Sequence, residues 1–91
     1  MKKVSIIVPS HNQSQYLNSA ISSALDQTVK VHEIIVVDDG STDNSLAIAK
    51  SYEGVKVISQ VNKGLPSARN TGIMNATGDY LIFLDSDDML I

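Results

Sequence analysis

Three carboxylates fall within four residues, Asp85, Asp87 and Asp88, directly after the apolar run Tyr80 to Leu84. Carboxylate oxygens are hard ligands, suited to a divalent cation such as Mg²⁺ or Mn²⁺. Asp85 and Asp87 are two residues apart, so in extended backbone their side chains leave the same face. The same acids could instead do no more than cap a following helix. The run before them is too short for a helix, apolar on both faces, and rich in aromatic and branched residues. That pattern predicts a strand buried in a parallel sheet. Ligands of open α/β sheets bind beyond the carboxyl ends of the strands, which places these acids at the rim of a crevice.

Two further polar clusters follow apolar runs. Pro9-Ser10-His11-Asn12 comes after Val4 to Val8, and Asp38 to Asp43 comes after Glu33 to Val37. Asp38 and Asp39 can accept hydrogen bonds from a nucleoside's ribose hydroxyls or base edge. A turn or helix cap competes for Asp38 and Asp43. Lys63 and Arg69 are cations that could steady a diphosphate, although a surface ion pair is the ordinary fate of either. Asn62 and Asn70 are ambiguous in the same way. His11 has no neighbour at metal-ligand spacing and His32 precedes a strand, so both read as non-catalytic. No G-x-G-x-x-G follows the first strand and no G-x-x-x-x-G-K-[ST] occurs. Dinucleotide and Walker-type phosphate binding are therefore disfavoured. A carboxylate-held metal is left as the group that neutralises phosphate charge.

The elements that must position these residues alternate. A strand over Val4 to Val8 ends at Pro9, which withholds a backbone donor. Leu17, Ala20, Ile21, Ala24 and Leu25 recur at helical spacing, with Asn12 or Ser14 as the cap. A strand over Glu33 to Val37 precedes a helix that begins at Leu46 to Ala49 and is closed by Gly54. A short strand, Val55 to Ile58, is followed by a helix over Ser67 to Ala76, closed by Gly78. Strand Tyr80 to Leu84 completes a β-α-β-α-β-α-β order, which specifies parallel strands with right-handed crossovers. The 91 residues amount to one small domain, 43% apolar and 19% charged. The net charge of −3 and the lack of any Lys/Arg cluster argue against nucleic acid as partner. The chain has no cysteine, hence no disulfide or thiolate site. Its N-terminal apolar run is too short for a signal peptide or a membrane span.

The blocks SIIVPSHN, EIIVVDDGSTD, NKGLPSARNTGI and GDYLIFLDSDD resemble, in order and spacing, those of the family 2 glycosyltransferases, inverting enzymes of the GT-A fold. The resemblance implies a Rossmann-like half with strand order 3-2-1-4 and a nucleotide-sugar donor, usually a UDP-sugar. It implies that Pro9, His11 and Asn12 lie by the nucleotide, with Asp39 on the uracil or ribose and Arg69 near the base or diphosphate. Asp85-Ser86-Asp87 would be the family's D-x-D, with Asp87 the direct metal ligand and Asp88 alongside. His11 stands where many members have Tyr. Family members continue well past the D-x-D, so residues 1–91 are expected to be the donor-binding part, with the acceptor half and the general base beyond Ile91. The implied reaction is transfer of a sugar to a saccharide or lipid-linked acceptor, as in polysaccharide biosynthesis. The implied setting is the cytoplasm or the cytoplasmic face of a membrane. A homodimer through the open edge of strand 80–84 is also expected. A receiver-type phosphoacceptor domain competes on IIVVDDG, and a haloacid-dehalogenase-type phosphatase on LDSDDML. The receiver places its acid pair after the first strand, and Met89 replaces the phosphatase's Thr or Val. Neither accounts for SIIVPSHN or NKGLPSARNTGI.

Overall fold

The fold is that of a computed structural model, which describes residues 3–26 and 31–85. Its elements run β1 (Val4–Ser10), α1 (Ser14–Leu25), β2 (Val31–Asp39), α2 (Ser45–Lys50), β3 (Val55–Gln60), α3 (Leu65–Asn75) and β4 (Tyr80–Phe83). All pairings are parallel, as the alternating pattern requires, and the strand order is β3-β2-β1-β4, the order that the family resemblance implies. Alternation along the central strands divides their side chains between two faces. Ile6, Val8, Ile34 and Val36 pack with Leu17, Ala20, Ile21 and Ala24 of α1 and Ala49 of α2. Ile35 and Val37 turn the other way, onto Ala68 of α3.

The strands are longer at the site end than the apolar runs alone suggest. β2 continues through Asp38 and Asp39, because the ladder to β3 pairs them with Ser59 and Gln60. β1 continues through Pro9, opposite Val37. Ile7 bonds toward β4, its carbonyl accepting from Leu84 N at 2.9 Å. Two residues on, the donor that Pro9 lacks is on the same side, where β4 has already ended. α3 starts earlier than Ser67, at Leu65, since Pro66 fits a helix's first turn. It also ends before Gly78, which serves a close approach: its N–H donates to Ser5 Oγ at 2.9 Å. A Cβ there would lie 2.9 Å from the carbonyl of Lys3.

β4 departs from the expected buried strand. Tyr80, Leu81 and Phe83 are exposed, while Ile82 and Leu84 pack on the α1–α2 side. The reason is position: β4 is the sheet's edge, and α3 lies over β1 and β2. Alternating along an edge, its apolar residues find a core on one face only.

Candidate functional site

The C-terminal ends of β1 and β2 are level, Ser10 standing opposite Asp38. Ile7 pairs with Phe83, so the same register carries Asp85 level with Pro9. Three polar chain segments thus meet at one rim, where the sequence places its crevice.

Asp39 organises this rim. Its side chain points to the α3 face and is 1% exposed. Oδ1 accepts from Gln60 Nε2 and from Lys63 N, each at 2.8 Å. Oδ2 accepts from Gly64 N at 2.8 Å and Asn62 Nδ2 at 3.2 Å. Burial by itself raises the carboxyl pKa; the donors from Gln60, Lys63 and Gly64, with His11 nearby, outweigh it and hold the group ionised, below its ordinary value. The carboxylate therefore fixes the loop between β3 and α3. Gly40 lets that loop close, since a Cβ at this position, with φ +67°, would lie 2.6 Å from Asn62 N. Contact of Asp39 with uracil or ribose, as the resemblance implies, requires one of these four donors to give way.

Asn12 and the β2–α2 loop form a second clasp. Asn12 has φ 51°, a left-handed conformation that Asn tolerates better than most residues. Its Oδ1 accepts from Thr42 N at 2.7 Å, and its own N–H donates to Ser41 Oγ at 2.9 Å. The expected caps of α1, Asn12 and Ser14, are replaced by groups across the clasp: Ser14 N donates to Asp43 Oδ2 at 3.2 Å and Gln13 N to Ser45 Oγ at 3.2 Å. Bonds from Ser45 and Ser14, against slight burial, take Asp43 down to about 2. Asp38 is the turn residue the sequence allowed, its Oδ2 accepting from Ser41 N at 3.1 Å. Its Oδ1 and the neighbouring Ser10 hydroxyl are buried and have no hydrogen-bond partner among the described residues.

His11 lies over this junction, Nδ1 2.7 Å from the carbonyl oxygen of Asp39. Arg69 and Asp85 form an ion pair at 3.1 Å, both partly open to solvent. Lys63 offers its backbone to Asp39 and leaves its side chain exposed. His32 is at the opposite end of the sheet, bonded to Thr77 Oγ1 at 3.0 Å. Asp85 is the one expected metal ligand among the described residues; Ser86, Asp87 and Asp88 lie outside them. Among the described residues Asp85 meets Arg69, and its carboxylate stays partly open to solvent, a donor type that fits a hard cation. Gln60, which ties Asp39 to Thr71 Oγ1 of α3, went unmarked in the sequence because it falls beyond the apolar run of β3.

Known proteins resemble the chain in sequence and in fold. Glycosyltransferase GlyA of Streptococcus pneumoniae is 45% identical across 97% of the chain, which covers 13% of that protein. The poly(ribitol-phosphate) β-N-acetylglucosaminyltransferase TarP of Staphylococcus aureus is 43% identical across 99% of the chain, covering 30% of its own length. The chain spans between 13% and 38% of the length of such curated relatives. Among solved structures, S. aureus TarS 1–349 in complex with UDP superposes with a TM-score of 0.88 at 36% identity, over 96% of this chain and 28% of that one. Glucosyl-3-phosphoglycerate synthase of Mycobacterium tuberculosis, in complex with Mn²⁺, UDP and glucosyl-3-phosphoglycerate, superposes at 0.81 with 27% identity, over 97% of this chain and 36% of that one. The sheet order and flanking helices are those of the GT-A glycosyltransferases. The glycosyl transferase family 2 model matches residues 5–90, and the chain belongs to that family.

Proposed function

We propose that the crevice receives the nucleoside diphosphate of a UDP-sugar and that the whole protein transfers the sugar, with inversion, to a saccharide or lipid-linked acceptor. The observation that carries this reading is the register bringing Ser10, Asp38 and Asp85 to one rim, with the loops around Asp39 closed over it. Support comes from the neighbours solved with UDP, UDP-GlcNAc or Mn²⁺, and from a relative named for a poly(ribitol-phosphate) acceptor. In the proposed reaction the acceptor oxygen attacks the anomeric carbon as the bond to the diphosphate breaks, and a base removes the hydroxyl proton. The chain's own contribution is on the donor side. Pro9, His11 and Asn12 line the nucleotide, Asp38 and Asp39 hold the loops that frame it, and Lys63 and Arg69 offer positive charge to the phosphates. Asp85 with Asp87, and Asp88 beside them, would hold Mg²⁺ or Mn²⁺, which supplies charge to a diphosphate when bound. The proposed setting is the cytoplasm or the cytoplasmic face of a membrane, and the β4 edge is proposed as a homodimer contact. Among the described residues, no helix is long and apolar enough to cross a membrane.

Calorimetry with UDP tests the donor site. Binding is expected to strengthen at least about tenfold with Mn²⁺, and that gain to vanish in Asp87→Asn, as the loss of a charged ligand is worth about 1.5–3 kcal/mol. UDP binding indifferent to both metal and Asp87 would remove the metal from the reading.

A further inference from the structure

Asp85 already holds a cation of the chain's own. From the second turn of α3, Arg69 Nη2 donates to Asp85 Oδ1 at 3.1 Å. Asp85 is one of the carboxylates proposed to take the divalent cation, and Arg69 one of the groups proposed to meet the diphosphate. The ion pair thus joins the two halves of the site. Neither side chain is sealed in, Arg69 being 36% and Asp85 42% exposed. An ion pair open to water is screened and weak, so each partner can be drawn to another ligand. The other ion pair among the described residues, Lys56 with Glu33, lies at the opposite end of the sheet. Lys63, on the loop before α3, gives its backbone N–H to Asp39.

Charge decides what happens when either ligand arrives alone. A divalent cation on Asp85 meets the guanidinium as a like charge. Like charges about 5 Å apart, one of them double, cost roughly tenfold in affinity even at the dielectric of water. A diphosphate alone must take the guanidinium from Asp85 and face the carboxylate left behind. Together the two ligands remove both conflicts: the cation neutralises Asp85, and the planar guanidinium turns to phosphate oxygens, which it can hold bidentately. Resting on the reading of this rim as a donor site, we propose that Arg69 couples the two ligands, exchanging Asp85 for the diphosphate as the cation takes Asp85. Cation and nucleotide then bind as a pair, each raising the affinity of the other by the same factor. Attraction between cation and phosphate contributes to that factor in any such site; the share carried by Arg69 is the part its removal abolishes.

Mn²⁺ binding, read from the electron-spin resonance signal of the free ion, tests this with and without saturating UDP, on the protein and on Arg69→Met, which keeps an unbranched stem without the charge. In Arg69→Met, Mn²⁺ alone is expected to bind roughly tenfold tighter than to the unaltered protein, and the gain on adding UDP to shrink by a similar factor. Damage to the fold lowers metal affinity, so a gain has no structural explanation. Arg69→Lys keeps the positive charge and should bind Mn²⁺ alone as weakly as the unaltered protein. A second measurement needs no variant. Arg69 is the one arginine of the chain, so nitrogen NMR of its guanidinium reads it directly. The signal should shift on adding UDP with Mg²⁺ and show coupling to phosphorus. A guanidinium unmoved by UDP with Mg²⁺, an Arg69→Met variant that binds Mn²⁺ alone no tighter, or an Arg69→Lys variant that behaves as Arg69→Met would overturn the role of Arg69 alone. Failure of the unaltered protein to bind UDP and Mn²⁺ together would overturn the site itself.

Discussion

Asp39 and Glu33 face the same side of β2, six residues apart, and each gathers donors from three directions; only one of them was visible in the sequence. Asp39 belongs to a recognisable block, and there the sequence located the residue but not the loop that it fixes. Its burial depends on a loop that arrives 21 to 25 residues later. Glu33 stands in no motif. In the fold it is buried at the opposite end of the sheet and accepts from Ser5 Oγ and Lys56 Nζ, each at 2.6 Å, and from Thr77 N at 2.6 Å. Burial raises its pKa, but the bonds from Lys56, Ser5 and Thr77 outweigh that and bring it from 4.5 to about 2. The folded value lies below the unfolded one, so the stabilisation is fully present above about pH 4.5 and is lost as pH falls toward about 2. Lys56 is half exposed, which screens its share of the effect. Glu33→Gln should cost roughly 2–3 kcal/mol at neutral pH, because the new amide turns hydrogens toward other donors. Urea midpoints at neutral pH and at about pH 3 test the sign. At the lower pH the unfolded carboxyl is protonated while the folded one is still ionised, and part of the carboxylate's advantage is gone. The gap between the two proteins should narrow in acid; a gap of constant size would show that the charge on Glu33 contributes nothing.

Element types and order were legible because hydrophobic period and helix-length spacing are local signals. Element ends were not, since they depend on partners: β2 and β3 extend through polar residues that a neighbouring strand pairs, and α1 is capped from the β2–α2 loop. Close approach is likewise invisible in one dimension. Gly72 looks like a weak point in α3, yet it is the place where the helix meets the sheet. A Cβ there would collide with Cγ2 of Ile7, a branch methyl in the middle of β1, and lie 3.3 Å from two further Ile7 carbons. Gly72→Ala gains up to about 1 kcal/mol of helix propensity. Overpacking against a core strand costs about 1–3 kcal/mol, so the net effect should be destabilising. The same substitution placed on an Ile7→Ala background should cost less or become favourable, because the colliding methyl is gone. A double-mutant cycle by thermal or urea unfolding measures that coupling, and strict additivity would show that α3 simply slides away.

At the scale of the molecule, the two sides of the sheet are unequally closed. β3 at one edge carries Lys56, and its polar end is tied down by Asp39 through Gln60. β4 at the other edge is the four residues YLIF, without lysine, proline or glycine, the devices that ordinarily blunt an open strand. Tyr80, Leu81 and Phe83 are 55%, 38% and 43% exposed, and among the described residues no strand pairs with β4 on its outer side. Each Leu or Phe gains about 1.5–3 kcal/mol when taken from full exposure to full burial, so partial exposure leaves a fraction of that to be won. Backbone groups along the outer side of β4 offer a ladder to a second copy, most simply by antiparallel pairing about a two-fold axis. So short an edge buries far less than the ~1,600 Å² of a standard stable interface, so the association should be weak and concentration-dependent. The substitution that tests it is Leu81→Lys, because Leu81 is exposed whereas Ile82 packs against the core and would report on folding instead. Sedimentation of the 91-residue chain over a wide concentration range should show a dimer that Leu81→Lys abolishes, with amide exchange on β4 slowing as the dimer forms. A monomer at the highest concentration, or a dimer indifferent to Leu81→Lys, would rule out pairing along this edge.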